Sequence, residues 1–206
     1  MLAGVLWLGF LLGLRHAFEA DHLAAVTTLA TRSARRADTL RVAVAWGLGH
    51  TLTLTLAGTL MVAAGVAWSP GSGWARLGEL IAGGLLLWLG ADGVGRALAV
   101  RQRAAGPTRA APLSRALVVG GVHGLEGSGA VVLLALPALP SVAAAGAYLG
   151  LFGAGAIVGM LAATLILSLP LGLAARRWTW GARALQLGVG MTSVLLGAAM
   201  TIAAIR

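Results

Sequence analysis

Four histidines stand in this chain of 206 residues, and each falls inside an apolar stretch beside other ionisable groups. His16 and His22 bracket Glu19 and Asp21, with Arg15 just ahead of them. His50 lies in the next apolar stretch, and His123 precedes Glu126 in a later one. Imidazole nitrogens joined by carboxylate oxygens suit nickel, cobalt, zinc or copper(II), whereas magnesium and calcium favour oxygen alone. The order of affinities does not choose among the four. Cysteine is absent, which removes thiolate ligands, disulfides and dithiol redox chemistry together. The candidate metal ligands are therefore His16, Glu19, Asp21, His22, His50, His123 and Glu126. No catalytic residue and no permanently bound cofactor are expected.

On an ideal helix turning about 100° per residue, His16, Glu19 and His22 fall near 0°, 300° and 240°, with Arg15 near 260° on the same face. Asp21 falls near 140°, off that face. It can join the others only where the helix unwinds; otherwise it orients a histidine from behind, the role the spacing favours slightly. His123 and Glu126, three apart, share a face of their own. An ionisable group inside a membrane is expensive, so function is its default explanation. A histidine satisfied by a neighbouring carboxylate explains one such residue more readily than four at matching depth beside three carboxylates.

The elements that must position these residues follow from composition. Hydrophobic residues make up 59% of the chain and charged residues 10%, and the mean hydropathy is +0.91, too little polar surface for a soluble globule. Apolar runs are expected to span a bilayer at 2-31, 42-68, 75-98, 113-137, 142-170 and 181-205. The start of the chain, without a basic lead, reads as half of a span rather than as a signal peptide. A net charge of +9 would suit nucleic acid, but the arginines gather between spans and no nucleic-acid partner is expected. Arg32, Arg35, Arg36 and Arg41 lie between spans one and two. Arg96, Arg101, Arg103, Arg109 and Arg115 lie between three and four, and Arg176, Arg177 and Arg183 between five and six. The other loops hold only Arg76. The positive-inside rule then puts the three basic loops in the cytoplasm and both termini outside, in a multi-pass protein of a bacterial inner membrane. Glu79 reads as interfacial, Asp92 as paired with Arg96 one turn on, and Trp68 and Trp74 as interface anchors.

The Arg, Ala, Gly and Pro-rich stretch at 101-112 divides the chain into residues 1-100 and 113-206. Superposing 13-22 on 120-129 matches Gly13 with Gly120, His16 with His123 and Glu19 with Glu126. Superposing 77-98 on 184-205 matches Gly83 with Gly190 and Gly90 with Gly197. Three spans per copy is odd, so the second copy enters the membrane from the opposite side. The expected fold is thus all-α and polytopic, six transmembrane helices as two inverted three-helix repeats, with a site near the midplane between them.

The segment Arg15-His16-Ala17-Phe18-Glu19-Ala20-Asp21-His22-Leu23-Ala24-Ala25 resembles the signature of the nickel/cobalt permeases, the NiCoT or NicO family. Leu48-Gly49-His50 resembles that family's motif in the following span, and Thr31-Arg32 the end of its first signature. His123-Gly124-Leu125 with Gly127-Ser128 is similar to the short urease-accessory, UreH-type branch. Thr27 and Thr28 stand where longer permeases carry an Asp-Asn pair, and the acidic motifs of their later spans are missing. The resemblance implies a six-span core, metal binding by His16, Glu19, Asp21, His22 and His50, and transport of nickel or cobalt as substrate. Divalent metal and membrane lipid are the expected partners. Two other readings compete: an intramembrane metal-dependent enzyme, and a small-solute exporter with the histidines as proton relays. The chain has no His-Glu-x-x-His order and no Gly-x4-Gly-Lys-Ser/Thr motif, which argues against a zinc hydrolase and against ATP drive.

Overall fold

Apolar segments in lipid have no water to bond their backbone, and a helix is how each satisfies its own N–H and C=O groups. The computed structural model describes residues 2–30, 36–66, 72–99, 112–125, 135–136, 139–177 and 181–206. Among them are seven helices and no strand: α1 (Leu2–His16), α2 (Ala20–Ala30), α3 (Arg36–Ala63), α4 (Gly73–Ala99), α5 (Leu113–His123), α6 (Val142–Arg177) and α7 (Gly181–Ile205). Three stretches, Gly73–Ala99, Val142–Leu167 and Arg183–Ile205, are long and apolar enough to cross a membrane. Large apolar side chains such as Trp7, Leu60, Trp74, Leu195 and Ile205 point outward, more than 60% exposed. Apolar exposure on that scale fits lipid rather than water as the solvent. This is a membrane protein.

Helix ends depart from the hydropathy reading where polarity and helicity part company. The run expected at 2-31 is two helices, broken at residues 17–19. α3 starts at Arg36, six residues ahead of the apolar run at 42, in a polar first turn where Asp38 and Arg41 lie 3.7 Å apart. α6 continues through Pro170 to Arg177, beyond the expected end at 170; a proline removes one donor, which neighbouring helices can offset in a membrane. α5 ends at His123, where Gly124 N–H donates to the Gly120 carbonyl at 2.8 Å, and the rest of the expected span at 126–134 lies outside the described residues. So do Glu126, Trp68, the 101–111 connector, and Arg32 and Arg35.

α1 lies on α6, α3 packs against both α5 and α6, and α4 runs along α7. Without a hydrophobic drive between helices in lipid, close backbone approach is what holds such pairs. Gly120 on α5 abuts the Trp46 carbonyl of α3 so closely that a Cβ there would collide with it; Gly13 on α1 meets the Phe152 carbonyl of α6 the same way. Beneath these crossings Ala17, Ala25, Trp46, Leu86, Leu89 and Met160 form one buried cluster. Asp92 takes Arg96 at 2.7 Å, the pairing expected from their spacing, and also Arg115 of α5 at 3.2 Å. The Arg115 guanidinium stacks 4.4 Å over the Trp88 ring, so α5 is tied to α4 near its start.

Candidate metal centre

The site begins at the break between α1 and α2. Phe18 N–H donates to the Arg15 carbonyl and Glu19 N–H to the His16 carbonyl, both at 3.0 Å, three-residue bonds that tighten and end α1. No glycine or proline stands at 17–19. Side-chain bonds add to these backbone ones. His16 Nδ1 pairs with Glu19 Oε2 at 3.0 Å, and Asp21 Oδ2 accepts from His123 Nε2 of α5 at 3.1 Å. The same Asp21 oxygen lies 2.8 Å from His22 Nδ1, off the line a hydrogen bond prefers but close enough to polarise the ring.

The four histidines, from α1, α2, α3 and α5, are all buried and form one group. His22 is its hub: ring centroids lie 4.2 Å from His16, 4.5 Å from His123 and 5.2 Å from His50. His16 and His50 are 5.5 Å apart. One nitrogen each from His16, His22 and His50 lie within 4.8 Å of one another, as do the ligand atoms of Asp21, His22 and His123. Two three-atom sets thus share His22. Among the described residues, His16 Nε2, His22 Nε2 and both nitrogens of His50 are buried without a hydrogen-bond partner. Leaving such an atom bare costs about 1–3 kcal/mol, and three imidazoles facing one another lack enough donors to satisfy themselves. Nitrogens left bare in this way are what a cation or a water molecule would satisfy.

The helix break moves Asp21, which an unbroken helix would turn away, into the group through contacts with two histidines. Glu19, on the ideal face with His16 and His22, contacts the group through His16 among the described residues and is 43% exposed. Thr27 and Thr28 are turned to their own helix, bonding the Leu23 and Ala24 carbonyls, and the Thr28 hydroxyl also meets Ser193 of α7 at 3.1 Å. Trp46 was not marked by the sequence reading. It is fully buried with its ring 5.5 Å from His22 and 5.7 Å from His123, walling the group on one side. Its position four residues before His50, one turn along the same face, was the available signal. Phe152 of α6, 5.2 Å from His16, closes another side and had no such signal.

Lipid-facing helices around a buried group of ligand-type side chains define a membrane protein built to handle a small polar solute or ion. The family model described as "High-affinity nickel-transport protein" matches residues 2–82, which include His16, Asp21, His22 and His50. "Urease accessory protein UreH" of Bacillus sp. (strain TB-90) is 30% identical over 187 residues, covering 85% of this chain and 81% of that protein. No solved structure matches. The chain belongs to the NicO family, and it is a membrane transport protein, not an enzyme.

Proposed function

We propose that the chain is a secondary transporter, a permease that moves a divalent transition-metal cation, nickel or cobalt, across the membrane. The ion passes through the histidine and carboxylate group near the midplane. The observation that carries this reading is the set of buried, unpartnered nitrogens on His16, His22 and His50, within 4.8 Å ligand reach of one another. Neutral imidazoles are ligands for a borderline metal and poor hosts for magnesium or calcium. Asp21 lowers the electrostatic penalty of a dication in a low-dielectric interior and orients His22 and His123. Glu19 fixes the His16 ring through Nδ1, leaving Nε2 for the metal. Glu126 joins as the counterpart of Glu19 in the second half.

The architecture that goes with this reading is six spans in two inverted repeats, residues 1-100 and 113-206, with both termini outside in a bacterial inner membrane. Paired contacts support it. Gly13 sits against the Phe152 carbonyl and Gly120 against that of Trp46; Gly155 meets the Phe10 carbonyl and Gly49 that of Leu117. Gly90 meets the Gly190 carbonyl as Gly197 meets that of Gly83. Each pair is one contact with the two halves exchanged, as a pseudo-two-fold axis requires. His16 and His123 are exchanged by the same operation.

Reconstitution in proteoliposomes tests the function. Nickel or cobalt is expected to enter down its gradient without ATP, at rates that magnesium and calcium do not match and that His22→Ala abolishes. Equal flux of all four ions, or unchanged flux in the variant, would remove the proposal.

A further inference from the structure

Threonine in a buried helix ordinarily satisfies its hydroxyl by donating to the carbonyl four residues back. Thr27, Thr28, Thr164, Thr192 and Thr201 all do so here, at 2.5–2.9 Å. The threonines of α3 at positions 51, 55 and 59 behave otherwise. Thr51, next to His50, donates across the interface to the Gly153 carbonyl of α6 at 3.2 Å. The Thr55 and Thr59 hydroxyls are buried and have no partner among the described residues. Spaced by four, the three make a stripe on α3 that climbs about 12 Å from the level of His50 toward Ala63. Across from it α6 offers glycines: a Cβ on Gly153 would strike Thr51, and one on Gly146 would lie 3.6 Å from the Thr59 hydroxyl. Between those glycines in sequence, Tyr148 is fully buried and its hydroxyl too lacks a partner among the described residues.

Buried hydroxyls that forgo the bond within reach on their own helix are satisfied by something else, and water is the usual answer at a polar site. We infer that Thr51, Thr55 and Thr59 line a hydrated track between α3 and α6, along which a partly dehydrated metal cation travels between the Ala63 end of α3 and the histidine group. Hydroxyl oxygens and track water replace part of the ion's hydration shell before the imidazoles take over, which lowers the barrier to entry without adding a tight site. At Thr51 the stripe touches Gly153, so the track is closed at that level and the ion reaches the histidines only when α3 and α6 part there. This inference rests on the metal-transport reading and concerns the route to the same site.

The test separates route from site. Thr55→Val combined with Thr59→Val keeps side-chain shape and removes both hydroxyls. In proteoliposomes the double variant is expected to carry nickel about tenfold more slowly, while its equilibrium nickel binding stays at the wild-type level. Thr164→Val, which removes a hydroxyl bonded within its own helix, is expected to carry nickel like wild type. Wild-type flux in the double variant, or a loss of binding in step with flux, overturns the track. Should the double variant fail to fold, thiol labelling decides. The chain has no cysteine, so Thr55→Cys and Thr59→Cys in the intact membrane report on water directly. Modification by a charged, water-soluble thiosulfonate supports the track, and residues that stay unmodified overturn it. If wild-type protein neither binds nor carries nickel, the transport reading has failed, and the labelling still tells whether the stripe is wet.

Discussion

His22 packs against every other histidine of the group and belongs to both candidate ligand sets. Removing it is expected to abolish nickel binding, measured by calorimetry on purified protein. Asp21→Asn keeps the shape and removes the charge that orients two rings; affinity is expected to fall by about 10- to 100-fold, the usual effect of losing a ligand's supporting partner. Binding is also expected to weaken on acidification, because protons compete with the ion for the same imidazole nitrogens. The histidines were legible in the sequence because an ionisable group in an apolar run stands out whatever the fold. Asp21 was legible as a residue but not as a position. An ideal helix turns it away from His16, and only the break at 17–19, which no glycine or proline announces, turns it toward His22 and His123. Trp46 was hidden because an indole in a membrane helix is unremarkable until the rings beside it are known.

At the scale of elements, the crossings depend on glycine where backbone meets backbone. Gly13→Val on α1 drives side-chain atoms into the Phe152 carbonyl of α6. It is expected to destabilise the detergent-purified protein by about 1–3 kcal/mol, the range for overpacking a fitted contact. Gly84→Ala, with nothing within 4 Å of the added carbon, is expected to leave the unfolding temperature unchanged or raise it slightly through better helix propensity. Equal thermal shifts in the two variants would mean that the α1–α6 crossing is looser than the fold implies. α4 and α7 were read from hydropathy to within two residues, because their apolar runs and their helices end together. α3 was not, since its first turn is helical but polar, and hydropathy marks the membrane-buried part rather than the helix.

Over the whole molecule, α1 and α2 bring His16, Asp21 and His22 into one buried cluster with His123 of α5, from the far half of the sequence. The two outlying histidines each pack against His22, so if both ligate the proposed ion their contributions are not independent. In a double-mutant cycle, His16→Ala with His123→Ala is expected to be little worse than the poorer single variant in nickel flux. Additive losses would confine the site to the first half and leave His123 a hydrogen-bonding partner of Asp21. The paired crossings behind this expectation were legible in part: the sequence matched Gly13 with Gly120 and Gly90 with Gly197, but which carbonyl each one faces is a property of packing. The most direct measurement is X-ray absorption at the nickel edge on metal-loaded protein, compared between wild type and His22→Ala. A nitrogen-rich first shell with the multiple scattering of imidazole rings, lost in the variant, is the predicted result. An all-oxygen shell, or one unchanged by His22→Ala, would contradict a histidine-held ion at the centre of this molecule.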